Sequence, residues 1–370
     1  MKALPVIFFT AAILGLGLLI LPKYFKNRSL EPEEMVGMLE GLVEEVIPVR
    51  VPGINNAYNP GIVPYKDHYL MAFRFDYPTN FSLERLKKKK SPYIGLVELD
   101  NRFQAIGKPQ LLNTRPNHPD LLQQAEDPRL VAVGDKIYIF FNDSPSGSRY
   151  GQRIMYFAEV TQDQGHLTLG PILPINPPHI SSTCEKNWMP FAYKNGLYVV
   201  YSMDPHVVLK LNPRDGSVKE LHSTEMHHDW RHGELRGGTQ ALLSDDLYLT
   251  FFHSSLWTKP TFWKNQTMRF YFLGAYAFEP KPPFRVKSYT PGPISHPDFY
   301  TPQNRRRVIF PSGIVENNGK LYVAYGENDN TIKVAVIDRK SLLDKMVPVK
   351  ESSVKKWQMS PKPGELTPAS

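Results

Sequence analysis

The chain has little with which to make covalent or metal-based chemistry. Cys184 is its only cysteine, so no intrachain disulfide can form and packing must supply the stability. A nucleophilic role for one thiol would also need a base and an orienting group beside it. No P-loop, Gly-x-Ser-x-Gly elbow or dinucleotide fingerprint occurs, and no cofactor is expected. Four histidines crowd one stretch, His222, His227, His228 and His232, but their spacing matches no zinc motif and no metal is expected. Helix-turn-helix, zinc-finger and RNA-binding signatures are missing too. The net charge of +8 therefore points to solvated basic loops near anionic lipid or glycan, with no nucleic acid as partner.

Long apolar runs are likewise scarce, with one exception. Ala3 to Pro22 carries no charge and matches the length of a bilayer-spanning helix, about 20 residues. Leu18 to Lys23 lacks the small-residue pattern of a cleavage site. Residues 1–23 are therefore read as an uncleaved transmembrane signal-anchor, making a single-pass membrane protein that contacts the membrane through residues 3–22. Flanking Lys and Arg are nearly balanced, so the positive-inside rule assigns no side to the remainder. Residues 24–50 place Met35, Met38, Leu39, Leu42 and Val43 at helical spacing, which predicts a linker helix. Residues 342–370 are rich in Lys, Ser and Pro and are expected to form a disordered tail.

What the chain has in quantity is turns and aromatics. Its 34 prolines and 24 glycines, with 19 tyrosines and 20 phenylalanines, favour short strands over helices. Five stretches also align without a gap: residues 59–74, 128–143, 188–203, 238–253 and 312–327. Each reads as strand, tight turn, strand, with Tyr69, Tyr138, Tyr198, Tyr248 and Tyr322 at one position. The intervals leave room for about four strands per unit, as in a propeller blade. The expected fold is an all-β, five-bladed β-propeller over residues 51–341.

A propeller gathers the starts of its first strands and the ends of its second strands around one axis. Here those positions supply Asn59, Glu126, Asp127, Arg129, Glu185, Lys186, Asn187, Arg236, Gln240, Arg74, His253, Glu327 and Asp329. Charged groups beside apolar strands are costly unless paired or wet, so one polar pocket accounts for them together. Trp188, Trp257 and Trp263 are candidates for stacking on sugar faces.

These residues also resemble a family. Glu126-Asp127-Pro128-Arg129, Glu185-Lys186-Asn187-Trp188, Arg236 to His253, Tyr271-x-x-Gly274-Ala275 and Phe310 to Asp329 are similar to motifs of glycoside hydrolase family 130. That family comprises β-mannoside phosphorylases and hydrolases with related mannosyltransferases. The resemblance implies a five-bladed propeller, a carbohydrate substrate and inverting chemistry. It implies Asp127 as the proton donor, and Arg153, Lys186 and His253 as ligands of inorganic phosphate or a sugar phosphate. Asn59, Arg74, Glu126, Arg129, Glu185, Lys186, Asn187, Arg236, Gln240, Tyr271 and Asp329 become substrate-binding candidates. The family phosphorylases tend to carry arginine where this chain has Ser202-Met203-Asp204, and Arg236 to Gln240 replaces a Gly/Pro-rich segment. Phosphorolysis, glycosyl transfer and hydrolysis therefore all stay open, the last with Asp204, Glu185 or Glu327 as base for water. A non-catalytic glycan-binding propeller is the alternative from another class.

Overall fold

The computed structural model describes residues 37–78, 90–116, 124–144, 152–175, 184–258, 268–300 and 307–350. The expected anchor, Trp263 and the last twenty residues lie outside these. Among the described residues no helix is long and apolar enough to cross a membrane.

Five antiparallel sheets form the propeller. Blade 1 holds β2 (Ala57–Tyr65), β3 (His68–Pro78), β4 (Lys90–Leu99) and β5 (Ala105–Leu111). Blade 2 holds β6 (Glu126–Val133), β7 (Lys136–Asp143) and β8 (Ile154–Asp163), with β9 (His166–Leu169) and β10 (Leu173–Pro174) on its outer side. Blade 3 holds β11 (Met189–Tyr193), β12 (Gly196–Met203), β13 (His206–Leu211) and β14 (Val218–Thr224). In blade 4, β15 (Arg236–Gly237) and β16 (Leu242–Ser244) both pair with β17 (Leu247–Thr258), followed by β18 (Met268–Phe278) and β19 (Val286–Tyr289). Blade 5 holds β20 (Ile309–Asn317), β21 (Lys320–Glu327) and β22 (Thr331–Asp338), and its outermost strand is β1 (Val43–Val49).

The linker helix expected over 24–50 is thus corrected over its last part. Val43 to Val49 is a strand paired with β22. Pro48 lacks an amide hydrogen, which breaks a helix but is tolerated on an edge strand. The propeller also runs further than expected at its other end. Helix α1 (Arg339–Lys345) is capped by Asp338, which accepts the Ser341 amide at 2.8 Å. After it, β23 (Val347–Pro348) pairs with β19.

The blades are apolar on both faces because each packs on two neighbours. In β3, Leu70 and Ala72 face Leu130, Ile139 and Phe141 of blade 2. Their alternates Met71 and Phe73 face Val315, Ala324 and Val334 of blade 5. Each such side chain contributes about 1.5–3 kcal/mol by leaving water. This alternation corrects the gapless alignment. Tyr138, Tyr198 and Tyr322 stand two residues beyond the end of the turn, but Tyr69 and Tyr248 stand one beyond it. One residue reverses the face. Tyr69 therefore packs back toward blade 5 and Tyr248 toward blade 3, while the other three pack forward.

The inner strands crowd the axis. A Cβ on Gly61 would lie 2.8 Å from the Pro128 carbonyl oxygen, so only glycine lets blades 1 and 2 approach there. Gln240 closes the axis between three blades. Its amide donates to the carbonyls of Ile62 at 2.7 Å and Ile314 at 2.6 Å, and accepts from the Ile314 amide at 3.1 Å. This corrects its expected place among sugar contacts: both ends of the side chain are occupied by backbone. Gln240→Leu is expected to lower unfolding free energy by about 2–4 kcal/mol, since three buried backbone groups lose their partners. Differential scanning calorimetry reads this as a fall in Tm.

Candidate active site at the upper end of the axis

The first strands of blades 1 and 2 both begin in a bulge. Register slips between Tyr58 and Gly61 in one, and between Glu126 and Arg129 in the other. The bulged residues Asn59 and Asp127 sit in the left-handed region, with φ of 49° and 55°, and Asn187 before β11 does the same at 65°. Asn and Asp are the side chains that tolerate this region best after glycine. The bulge re-aims them out of the strand's alternation. As a result the Asn59 amide donates to Asp127 Oδ1 at 2.8 Å, across two blades. Asn59 fits only because residue 326 is glycine, where a Cβ would lie 2.1 Å from Asn59 Oδ1.

Arg74, near the end of β3, reaches the same place. Its guanidinium lies 3.2 Å from Asp127 Oδ1 and 3.1 Å from Glu126 Oε1. Arg153 approaches Glu126 from the other side at 2.7 Å and donates to the Gln124 carbonyl at 2.6 Å. Two adjacent carboxylates thus share two guanidinium groups. Burial works against the charge on Asp127, but Arg74, the Asn59 hydrogen bond, Arg129 and Lys186 outweigh it. Its carboxyl is held below the usual aspartate value. Glu126 goes the other way, raised by burial and by the Asp127 charge against Arg74, Arg153 and Lys186. Asp127 is therefore ionised at neutral pH.

Arg129, a candidate substrate ligand, turns away from Glu126. It is fully buried and donates to the carbonyls of Gly238 at 2.5 Å and Asp127 at 3.1 Å, and more weakly to Gly237 and the Asn187 side chain. Burial pushes its pKa down to about 10. It ties blade 2 to blades 3 and 4 beneath the acidic pair.

Beside this cluster a cleft of about 650 Å³ opens between blades 3 and 4. Glu185, Lys186, Asn187, Asp204, His228 and Arg236 stand on its walls. Glu185 accepts from Trp188 Nε1 at 3.2 Å and from the Tyr201 hydroxyl at 3.3 Å. Arg236 pairs with Glu234 at 2.7 Å, and His228 Nε2 stands 3.5 Å from Asp204. Lys186 is exposed and its charge acts on both Glu126 and Asp127.

His253, across from Arg236 in the β15–β17 pairing, is buried between Tyr271 at 5.6 Å and Phe310 at 4.6 Å. Burial, Arg129 and Arg236 hold its pKa well below the ordinary histidine value, so the ring is neutral. It lends no positive charge to a phosphate and offers only ring-nitrogen hydrogen bonding. Asp329 stands in the turn after β21, with φ of 51°. Glu327 is fully buried and paired with Lys333 at 2.8 Å, which removes it as a base for water. Asp204 and Glu185 remain, on the cleft walls.

The structure also sorts the aromatics. Trp188 and Trp230 are core residues, and Trp257 is exposed with Arg269 over its ring. Among the described residues no group of His, Cys, Asp and Glu is arranged to hold a metal ion. Tyr58 and Tyr201 were not anticipated. Tyr58 had a signal: Tyr58-Asn59-Pro60-Gly61 repeats the pattern of Glu126-Asp127-Pro128-Arg129 one blade earlier.

No protein-family profile and no curated protein sequence matches the chain. Solved structures do. A β-1,2-mannobiose phosphorylase from Listeria innocua superposes with a TM-score of 0.55 at 15% identity, over 81% of this chain and 96% of its own. A glycoside hydrolase of family 130 that targets β-1,2 mannosidic linkages in Candida mannan gives 0.55 at 12% identity, over 85% and 93%. A GDP-Man-dependent mannosyltransferase from Leishmania mexicana gives 0.50 at 14%, over 81% and 91%. These likenesses establish the five-bladed fold.

Proposed function

We propose that this propeller is a carbohydrate-active enzyme that transfers a glycosyl group, mannosyl in the first instance, with inversion. We include in the proposal its tethering to a membrane through residues 3–22. The reading rests on one observation above others: Asp127 is presented on a left-handed bulge, held by Asn59 and Arg74, beside a polar cleft. Solved structures of the same fold include a phosphorylase, a hydrolase and a transferase acting on mannose-containing compounds.

The state of Asp127 favours the synthetic direction. An ionised carboxylate accepts a proton, whereas a hydrolase needs an acid for the leaving oxygen. In transfer, an acceptor hydroxyl gives its proton to Asp127 as its oxygen bonds to the anomeric carbon. The bond from that carbon to the donor phosphate oxygen breaks on the opposite face, and the phosphate leaves with the electron pair. Lys186 and Arg236 supply positive charge for it. Arg153, expected as a phosphate ligand, is instead engaged by Glu126.

The test is incubation of the full-length chain with mannose 1-phosphate or a nucleotide-mannose and a panel of sugar acceptors. Release of phosphate or nucleotide with a new glycoside is the expected result. Mannoside binding by calorimetry without product from any donor would overturn it and leave a glycan-binding propeller.

A further inference from the structure

We infer that Tyr58 and Asp76 are positioning residues that meter how much of the Arg74 charge reaches Asp127. The inference rests on Asp127 being the proton-transferring residue proposed above.

Arg74 faces three carboxylates. Two are in contact, Glu126 and Asp127; the third, Asp76, stands 3.7 Å from Arg74 Nε, beyond hydrogen-bond reach. Nε is buried and has no hydrogen-bond partner. Something therefore holds Asp76 back from a donor it would otherwise take. That group is Tyr58. Its hydroxyl donates to Asp76 Oδ1 at 2.9 Å, while the Asn56 amide fixes the Asp76 carbonyl at 2.9 Å. The Tyr58 ring lies against the guanidinium, 5.0 Å from centre to carbon. Burial keeps the Tyr58 hydroxyl protonated, with Arg74 opposing and Asp76 reinforcing, so it stays a donor throughout the working range.

Other charged and polar groups besides Arg74 act on Asp127. They are Asn59 on β2, Glu126 and Arg129 on β6, Lys186 before β11 and His253 on β17, with Arg153 beyond Glu126. Asp76→Asn and Tyr58→Phe remove none of them, and Tyr58→Phe takes away only the hydroxyl that donates to Asp76.

The two conservative substitutions then act in opposite senses. Asp76→Asn removes an anion competing for Arg74, so the guanidinium acts more fully on Asp127, which titrates at lower pH. Tyr58→Phe releases Asp76, which closes on the unpartnered Nε and draws the charge away, so Asp127 titrates at higher pH. Charges several ångströms apart at a partly wet site give shifts of about half a unit or more. A packing defect would not produce opposite signs.

The experiment is carboxyl-carbon NMR titration of the full-length chain labelled at aspartate. The Asp127 resonance is assigned by its loss in Asp127→Asn. Opposite displacements in Asp76→Asn and Tyr58→Phe are expected, with the pH profile of turnover following them. Displacement in the same direction, or none beyond about 0.2 unit, overturns the inference. Should Tyr58→Phe fail to fold, Asp76→Asn decides by the sign of its shift. Loss of turnover plays no part in the NMR result, so a failed function and a failed inference are told apart.

Discussion

Asp127→Asn is expected to reduce glycosyl transfer by about 10²–10⁴-fold, the usual worth of a positioned proton acceptor, with Tm nearly unchanged. The amide is isosteric and keeps an oxygen for the Asn59 donor, so the bulge has no steric reason to move. What it loses is the capacity to take a proton from an acceptor hydroxyl. It also loses the charge opposite Arg74, which still has Glu126 at 3.1 Å. The control is donor or mannoside affinity by calorimetry, which should change far less than turnover. Turnover that survives in this variant would exclude Asp127 as the base.

Arg129→Met is expected to have the largest effect on stability, about 3–5 kcal/mol, because several buried carbonyls lose a charged donor at about 1–3 kcal/mol each. The side chain replaces a guanidinium of similar reach with an apolar one that cannot donate. Carbonyls of Gly237, Gly238 and Asp127 are left without their partner inside the ring. The loss is spread over three blades at once, so it should appear as a lower midpoint in urea with an unchanged slope. A variant as stable as the parent would mean that water replaces the guanidinium at the axis. Activity should fall too, because the Asp127 backbone is one of the groups Arg129 holds.

The blade architecture shows where reading the sequence succeeds. Strand–turn–strand units recur because each blade must solve the same packing problem, and the repeat is visible in turn chemistry alone. The bulges were not read from the sequence, although each leaves a trace there: Asn59 and Asp127 both stand directly before proline. Less visible was the use made of each polar group. Gln240 and Arg129 look from sequence like ligands, and both serve the backbone at the axis. Nothing local distinguishes a guanidinium aimed at a substrate from one aimed at a carbonyl over a hundred positions away. The one-residue slip of Tyr69 and Tyr248 was hidden for a related reason. Letters align by order, whereas facing is set by distance from the turn. At β1 a helical spacing of methionines and leucines competed with Val-Ile-Pro-Val, and pairing with β22 decided the outcome.

That pairing has a consequence for how the molecule is made. The strand that seals blade 5 precedes blade 1 in the chain, so a growing polypeptide holds β1 without its partner until β22 emerges. Until then four blades form an open arc with an uncovered apolar face at each end. The ring is thus a clasp whose two halves are nearly three hundred residues apart, and closing so distant a contact is slow compared with forming any one blade. A chain shortened past Val49 would keep every residue of the acidic cluster yet expose the edge of β22. Such an edge pairs with whatever strand it meets, so trimming the amino-terminal side is expected to produce association between molecules before any loss of the site itself.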